Sequence, residues 1–225
     1  TLHVPYGSKS PATVRDLSRR SAAFLASQGV KLIVVACNTS TAVALPDLQR
    51  EFPMPVLGVI EPGARAAVAS SPGGRVAVIG TRRTIASGAY ETAIHALDSR
   101  VRVRAGACPL LVPVIEEGLR STEAIDAILR EYLTDLVKGC DSLVLGCTHY
   151  PLLKSRLRRL WPRLRLVDSA HTTAKETARL LAERSLATTS RRGRLAICTN
   201  DVNEVFTRIA GRLFPGEEIH AVSLE

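Results

Sequence analysis

The sequence lacks the features of a membrane, secreted or typical nucleic-acid-binding protein. In its 225 residues no run approaches the ~20 apolar residues that are needed to span a membrane. No signal-peptide pattern opens the chain, which favours a cytoplasmic protein with no membrane partner. Aromatic residues make up only 4% of the composition, and no nucleic-acid recognition motif accompanies them.

Cysteine is present, but not in the spacing of a disulfide framework or a zinc site. The cysteines are odd in number, widely separated and without a Cys-x-x-Cys pair: Cys37, Cys108, Cys140, Cys147 and Cys198. Free, reduced thiols are therefore expected. No metal-ligand cluster appears and the few lysines suggest no cofactor-bearing position, so we expect neither a metal nor a cofactor.

Positive charge exceeds negative charge, and the formal net charge is +9. The densest basic run, at 154–165, reads Lys-Ser-Arg-Leu-Arg-Arg-Leu-Trp-Pro-Arg-Leu-Arg. It is either a nucleic-acid patch or, as the pattern favours, the solvated face of a helix with an apolar opposite face. Nucleic acid is therefore not an expected partner, whereas a basic surface would attract small dicarboxylates.

Short apolar runs alternate with helical patterns along the chain. We expect strands at 32–36 and 143–146, a loop at 61–63, and helices at 84–97, at 121–138 and from Pro151 onward. With 46% apolar residues, the chain can bury a sizeable core as one large domain or two small ones. The expected fold class is α/β, with mainly parallel sheets flanked by helices.

Two cysteines occupy matching positions about 110 residues apart. The strand at 32–36 stops at Cys37, the strand at 143–146 stops at Cys147, and a polar turn and a helix follow each. Ligands bind at the carboxyl ends of parallel strands, so the two thiols could face one another across a cleft. A helix amino terminus favours the thiolate, which predicts a useful thiolate fraction at neutral pH. The alternative is that each cysteine is a small buried apolar residue.

Other polar residues lie close to these positions. His149 is either a proton partner of Cys147 or a hydrogen-bonded loop histidine. One of Glu116 and Glu117 could enter the site, although a solvated helix end is the more ordinary interpretation. Thr81 and Thr84 could hold a carboxylate or simply cap the next helix.

Several motifs resemble those of the cofactor-independent glutamate racemases, in the aspartate/glutamate racemase family. The two strongest are Ala-Cys-Asn-Thr at 36–39 and Gly-Cys-Thr-His-Tyr-Pro at 146–151. Others follow in the family's order: 4–10, 58–63, 79–85, 108–118 and 167–170. The likeness covers nearly the whole chain.

The resemblance implies two pseudo-symmetric α/β lobes with the active site in the cleft between them. The first lobe would take 1–60 with 170–225, and the second 61–169. Cys37 and Cys147 would be the catalytic acid and base, with His149 and Glu116 supporting Cys147. Substrate would be held by the remaining motif residues: Tyr6, Gly7, Asn38, Thr39, Thr81, Thr84 and Thr148.

The implied activity is interconversion of L- and D-glutamate without a cofactor, which supplies D-glutamate for peptidoglycan. The family also implies a homodimer. The alternatives are a related aspartate or hydantoin racemase and, from a different class, a non-catalytic member of the fold. Family members begin with a strand ending in Asp-Ser-Gly, and this sequence starts beyond it. We therefore expect a truncated chain with reduced or no activity.

Overall fold

Strands and helices alternate in the computed structural model, which describes residues 3–190, 193, 195–216 and 219–221. Every strand pair in the described residues is parallel. The strands are β1 (Ile33–Val35), β2 (Val56–Gly58), β3 (Arg75–Gly80), β4 (Arg102–Ala107), β5 (Ser142–Gly146), β6 (Arg165–Asp168), β7 (Ile197–Thr199) and β8 (Ile219–Ala221). The predicted α/β class is confirmed.

Helices connect these strands. They are α1 (Pro11–Ser27), α2 (Asn38–Glu51), α3 (Ile60–Ala69), α4 (Arg82–Ala86), α5 (Ala89–Leu97), α6 (Leu111–Glu116), α7 (Thr122–Leu133), α8 (Lys154–Leu160), α9 (Ser169–Glu183) and α10 (Glu204–Leu213). None of the helices within the described ranges is long and apolar enough to cross a membrane.

A four-stranded sheet with the order β4-β3-β5-β6 forms the largest core. Its central strands are buried on both faces, because side chains alternate across a strand and helices cover each side. Ile79 and Leu145 point to one face, where α7 packs, while Val78 and Val144 point to the other, where α3 and α5 pack. The carboxyl ends of β3 and β5 are therefore held rigidly side by side, with Gly80 paired to Gly146.

A second core joins β1 and β2 to helices α1 and α2. Ile33 and Val56 pack against Ala22, Ala44 and Leu48. Ser10 caps α1 by accepting a hydrogen bond from the Thr13 amide at 3.1 Å. In the described part of the chain β1 pairs with β2 alone. Strands β7 and β8 form a separate pair.

Helix boundaries differ from the sequence prediction in three places. The helix predicted at 84–97 is two helices, α4 and α5, separated at Gly88, whose φ of 64° breaks the helical path. The predicted loop at 61–63 is the first turn of α3. A proline fits there because it has no amide hydrogen, and the amides of a first helical turn have no partner within the helix. Helix α7 ends at Leu133 and not at Lys138.

The predicted division into lobes, 1–60 with 170–225 and 61–169, remains a prediction. The four-stranded sheet lies wholly within 75–168. Strands β1 and β2 and helices α1 and α2 precede it, and α9, α10, β7 and β8 follow. Residues 1–2, 191–192, 194, 217–218 and 222–225 of the first predicted lobe lie outside the described residues.

Candidate active site

Cys37 lies at the junction of β1 and α2. It is the residue that caps α2, and its carbonyl accepts the Thr41 amide at 2.8 Å. The Thr41 hydroxyl donates to the Val35 carbonyl at 2.8 Å and accepts the Val59 amide at 3.3 Å. This hydroxyl therefore ties the start of α2 to both strands and fixes the half-buried Cys37 thiol at the sheet edge.

Cys147 follows β5 and is 8% exposed. Burial is the main cause that raises its pKa from 9.0 to about 12, against the lowering effect of hydrogen bonds from the His149 amide, the Thr148 side chain and the Tyr150 amide. The prediction of a thiolate-favouring helix is wrong for this residue. The element that follows is a four-residue 3-10 helix, Tyr150–Leu153, with α8 only after it, and desolvation outweighs the donors.

Both thiols line one cavity of about 330 Å³. The negative charge of Cys37 contributes to raising the pKa of Cys147, so the two sulfur atoms interact electrostatically. Such coupling means that one thiol holds its proton more tightly when the other is ionised. The cavity also contains Asn38, Thr39, Thr81, Thr148 and His149, and it extends beside β1 and α1 toward Leu25.

His149 connects Cys147 to Glu116. Its Nδ1 lies 3.8 Å from the Cys147 sulfur, and its Nε2 lies 2.9 Å from Glu116 Oε1. A carboxylate only accepts hydrogen bonds, so Nε2 carries the proton and Nδ1 of the neutral ring is the acceptor that faces the thiol. Glu116 is half-buried, whereas Glu117 is exposed and does not contact His149 through any hydrogen bond among the described residues. The arrangement can take a proton from Cys147 and stabilise the imidazolium that forms.

Three threonine hydroxyls meet at one point. Thr39 Oγ1 lies 3.0 Å from Thr81 Oγ1 and 3.1 Å from Thr84 Oγ1, and Thr81 and Thr84 are 3.0 Å apart. Thr81 also caps α4 by accepting the Thr84 amide at 3.2 Å, so the capping interpretation and the site interpretation hold together. Thr84 is 1% exposed and does not line the cavity, so it supports the other two hydroxyls from behind.

The turn at 6–8 closes another side of the cavity. Gly7 approaches Thr81 so closely that a Cβ built on Gly7 would lie 2.4 Å from Thr81 Cβ. Tyr6 and Gly7 both line the cavity. Burial first, and then the charge of Cys37, raise the pKa of the Tyr6 phenol. Tyr6 therefore stays protonated beside the first thiol.

Asn38 brings in a residue that sequence reasoning missed. The Asn38 side chain is buried, and its Oδ1 accepts a hydrogen bond from the Tyr90 hydroxyl at 2.6 Å. Tyr90 lies on the apolar face of α5. The neighbouring sequence does not distinguish it from an ordinary core residue, so it does not predict a role in the site. Only the packing of α5 against α2 and α3 could reveal the contact.

No metal-binding cluster of three or more His, Cys, Asp or Glu residues occurs within the ranges that the structure describes. The polar side chains that line the cavity carry hydroxyls, thiols, one amide and one imidazole. This donor set fits the carboxylates and the ammonium group of an amino acid, with two thiols available for proton transfer.

The sequence of the chain matches a family model. The model describes Asp/Glu/hydantoin racemases and matches residues 3–177. This chain belongs to that family. A glutamate racemase from Geobacter metallireducens is 46% identical over 230 residues, which cover 100% of this chain and 85% of the relative.

Solved racemase structures share the fold. A glutamate racemase isoform from Bacillus anthracis superimposes with a TM-score of 0.95 at 36% identity, covering 100% of this chain and 85% of that one. A glutamate racemase from Francisella tularensis, solved in complex with D-glutamate, has a TM-score of 0.92 at 32% identity, covering 100% and 85%. The racemase fold therefore accounts for the whole described architecture.

Proposed function

We propose that this chain is a glutamate racemase that interconverts L- and D-glutamate with Cys37 and Cys147 as acid and base. The observation that carries the proposal is the shared cavity with one thiol at the end of β1 and the other at the end of β5. The 46% identical relative that is named glutamate racemase supports the choice of substrate. The structure with bound D-glutamate supports the same choice.

The reaction removes the α-proton from one face of the substrate and adds a proton to the opposite face. One sulfur, as thiolate, takes the α-proton from one face of the α-carbon, and the electron pair of the broken C–H bond remains on the substrate. The other sulfur, as thiol, donates its proton to the opposite face, and the C–H bond re-forms with inverted configuration. Thiol and thiolate have then exchanged places, so the reverse reaction uses the same groups in opposite roles.

The state of Cys147 sets its part in this exchange. With a pKa raised to about 12 it is a thiol in the free site, ready to donate its proton. To act as the base it must first lose that proton, and Nδ1 of His149 at 3.8 Å is placed to accept it. Glu116 then stabilises the imidazolium through the 2.9 Å contact with Nε2. The ammonium group of the substrate adds a positive charge, which favours the ionised form of both thiols.

The carbanion requires fixed hydrogen-bond donors and the exclusion of water. We assign this task to the polar groups around the cavity, with Thr39 and Thr81 in direct contact and Thr84 behind them. The amide of Gly7, the Tyr6 backbone and the side chains of Asn38 and Thr148 complete the proposed substrate-binding set.

Replacement of each thiol tests the mechanism. We expect Cys37→Ala and Cys147→Ala each to abolish racemisation, while the far-ultraviolet circular dichroism stays unchanged. A single thiol can return a proton only to the face from which it removed one, and the configuration is then retained. Cys198→Ala is the matched control, because Cys198 is exposed and outside the cavity. Loss of optical rotation and uptake of deuterium at the α-carbon in heavy water are the measurements.

Near-normal turnover by either single variant would contradict the two-thiol mechanism. A wild-type chain that neither racemises nor exchanges the α-proton of glutamate, aspartate or a hydantoin would be a non-catalytic member of the family. A panel of glutamate, aspartate and hydantoins separates glutamate racemase from its relatives.

Three further statements belong to the same proposal. The product would supply D-glutamate for peptidoglycan synthesis, and the cytoplasm is the compartment in which the free thiols stay reduced. The active form would be a homodimer, which sedimentation equilibrium tests directly. The two predicted lobes, 1–60 with 170–225 and 61–169, would each contribute one thiol to the cleft.

A further inference from the structure

Tyr90 lies deep between the two parts of the molecule that carry the thiols. It is 3% exposed and belongs to α5, which packs on the four-stranded sheet. Its hydroxyl donates to Oδ1 of Asn38 at 2.6 Å. Asn38 is the residue after Cys37 and the first residue of α2. The phenol therefore reaches from the helix layer of the sheet that bears Cys147 to the turn that bears Cys37.

The same aromatic ring contacts the other cysteine turn. A Cβ built on Gly146 would lie 3.1 Å from Tyr90 Cε2, and one built on Gly63 would lie 3.2 Å from the Tyr90 oxygen. The two glycines leave the space that the ring fills. Gly146 directly precedes Cys147. One side chain thus packs beside the neighbours of both thiols.

The hydrogen bond from Tyr90 fixes the orientation of the Asn38 amide. Oδ1 is occupied by the phenol, while Nδ2 is buried and has no partner within the described chain. Asn38 lines the cavity. Burial, and then the charge of Cys147, raise the pKa of Tyr90 well above its usual value, so the phenol remains a donor throughout the working pH range. Reversal of the amide would place Nδ2 against the phenol and break the 2.6 Å hydrogen bond from the Tyr90 hydroxyl to Oδ1.

We propose that Tyr90 is a positioning residue of the racemase: it holds the Asn38 amide so that Nδ2 donates to a carboxylate oxygen of the substrate. The inference rests on the proposed function and extends it. Tyr90 touches no reacting atom. It acts through Asn38, whose Nδ2 has no partner within the described chain and can donate to an anionic oxygen.

Removal of the phenol oxygen alone is the direct test. Tyr90→Phe retains the ring against Gly146, and we expect kcat/KM for glutamate to fall about 10- to 100-fold, mainly through KM, because the amide is free to rotate. Tyr132→Phe is the matched control: that phenol accepts the Leu110 amide at 3.4 Å, and Tyr132 does not line the cavity. Its kcat/KM should change less than about twofold.

A double-mutant cycle separates positioning from general loss of structure. In an Asn38→Ala background, Tyr90→Phe should change kcat/KM by less than about twofold, because the residue through which it acts is gone. A full additional loss in that background would overturn the inference. So would an unchanged KM and kcat for Tyr90→Phe in the otherwise active protein.

The direction of the amide has its own test. Asn38→Asp replaces the donor Nδ2 by an anionic oxygen, and it should raise KM for glutamate more than Asn38→Ala does. Tighter binding by Asn38→Asp than by Asn38→Ala would show that position 38 accepts from the substrate ammonium, and the inference would fail. If the wild-type chain itself did not racemise glutamate, the proposed function would be what fails.

Discussion

At the scale of single residues, the relay from Cys147 through His149 to Glu116 is the part of the site with a defined direction. The 2.9 Å contact with Glu116 fixes the histidine tautomer, and the tautomer decides that Nδ1 faces the thiol as an acceptor. The Arg208 guanidinium also donates to the Glu116 carbonyl, which ties this end of α6 to α10. Glu116 therefore determines which nitrogen of His149 can accept the proton of Cys147, although Glu116 itself does not contact Cys147.

This relay predicts unequal effects for two adjacent glutamates. We expect Glu116→Ala to lower kcat about 10- to 100-fold, because His149 loses the partner that orients it and stabilises its protonated form. Glu117→Ala should leave kcat within about twofold, since the Glu117 side chain is exposed. Steady-state kinetics and the pH profile of kcat measure both.

Equal losses for the two variants would indicate damage to α6 and not loss of the relay. An unchanged kcat for Glu116→Ala, with the fold intact, would remove Glu116 from the mechanism.

Sequence reasoning reached some of these residues and missed others. Both cysteines and His149 follow strand ends, where a local pattern marks them. The choice between Glu116 and Glu117 stayed open, because it depends on which side of a short helix faces a histidine 33 residues away. Tyr90 gave no signal, since its partner Asn38 is 52 residues distant.

At the scale of elements, the close pairing of β3 and β5 places the second thiol. Gly80 pairs with Gly146, and the two strands end together. A Cβ on Gly146 would come within 2.6 Å of the Ile79 carbonyl oxygen, a backbone atom that cannot move aside. A glycine is therefore required at this position by close approach and not by its own dihedral angles.

Two glycine-to-alanine changes should act in opposite directions. Gly146→Ala should lower the free energy of unfolding by about 2 kcal/mol or more and abolish activity, because β5 must shift beneath Cys147. Gly211→Ala lies in α10 with no atom within 4 Å of the new Cβ, so it should raise the free energy of unfolding by about 0.5–1 kcal/mol. Urea denaturation measures both, and a stable, active Gly146→Ala would refute the steric argument.

Element types were more predictable than element ends. The apolar runs at β1 and β5 predicted buried strands, and Ser10 with Pro11 predicted the start of α1. The split between α4 and α5 was missed because a single glycine inside a helical pattern is usually tolerated. At Gly88 the chain adopts a positive φ, and α5 turns to pack against α3.

At the scale of the whole molecule, the distribution of charge supports a metabolic enzyme over a nucleic-acid binder. Within the basic run on α8, Arg156 and Arg159 both pair with Asp126, at 3.4 Å and 2.6 Å, and Lys154 pairs with Asp168. These pairs neutralise part of the charge and direct those basic side chains to neighbouring elements. The solvated-face interpretation of this run accounts for such contacts without a polyanionic partner.

The buried thiols make the stability of the whole chain depend on alkaline pH. Burial raises the pKa of Cys108 and of Cys147 from 9.0 to about 12. A raised pKa means that the native state retains protons that the unfolded chain releases above about pH 9, so this stability is present below that pH and is lost above it. Between about pH 8 and pH 10.5, the free energy of unfolding should fall by about 2 kcal/mol for each of these two thiols.

Cysteine variants isolate this contribution. Denaturant unfolding with a reductant present should show that Cys147→Ala loses about 2 kcal/mol less than wild type over the same pH interval. Cys198→Ala should lose as much as wild type, because its thiol is exposed in the folded state. Identical pH dependence in all three proteins would contradict the assignment of a desolvated thiol at position 147.

The sequence alone determined that two strands end at cysteines and that parallel sheets carry them, because apolar runs, glycines and caps act over a few neighbouring residues. Tertiary structure alone decided which distant side chains meet: Tyr90 with Asn38, Glu116 with His149, and Thr39 with Thr81 and Thr84. It also decided that burial keeps Cys147 a protonated thiol. Burial and desolvation depend on every element packed around a group, and no local stretch of sequence contains that information.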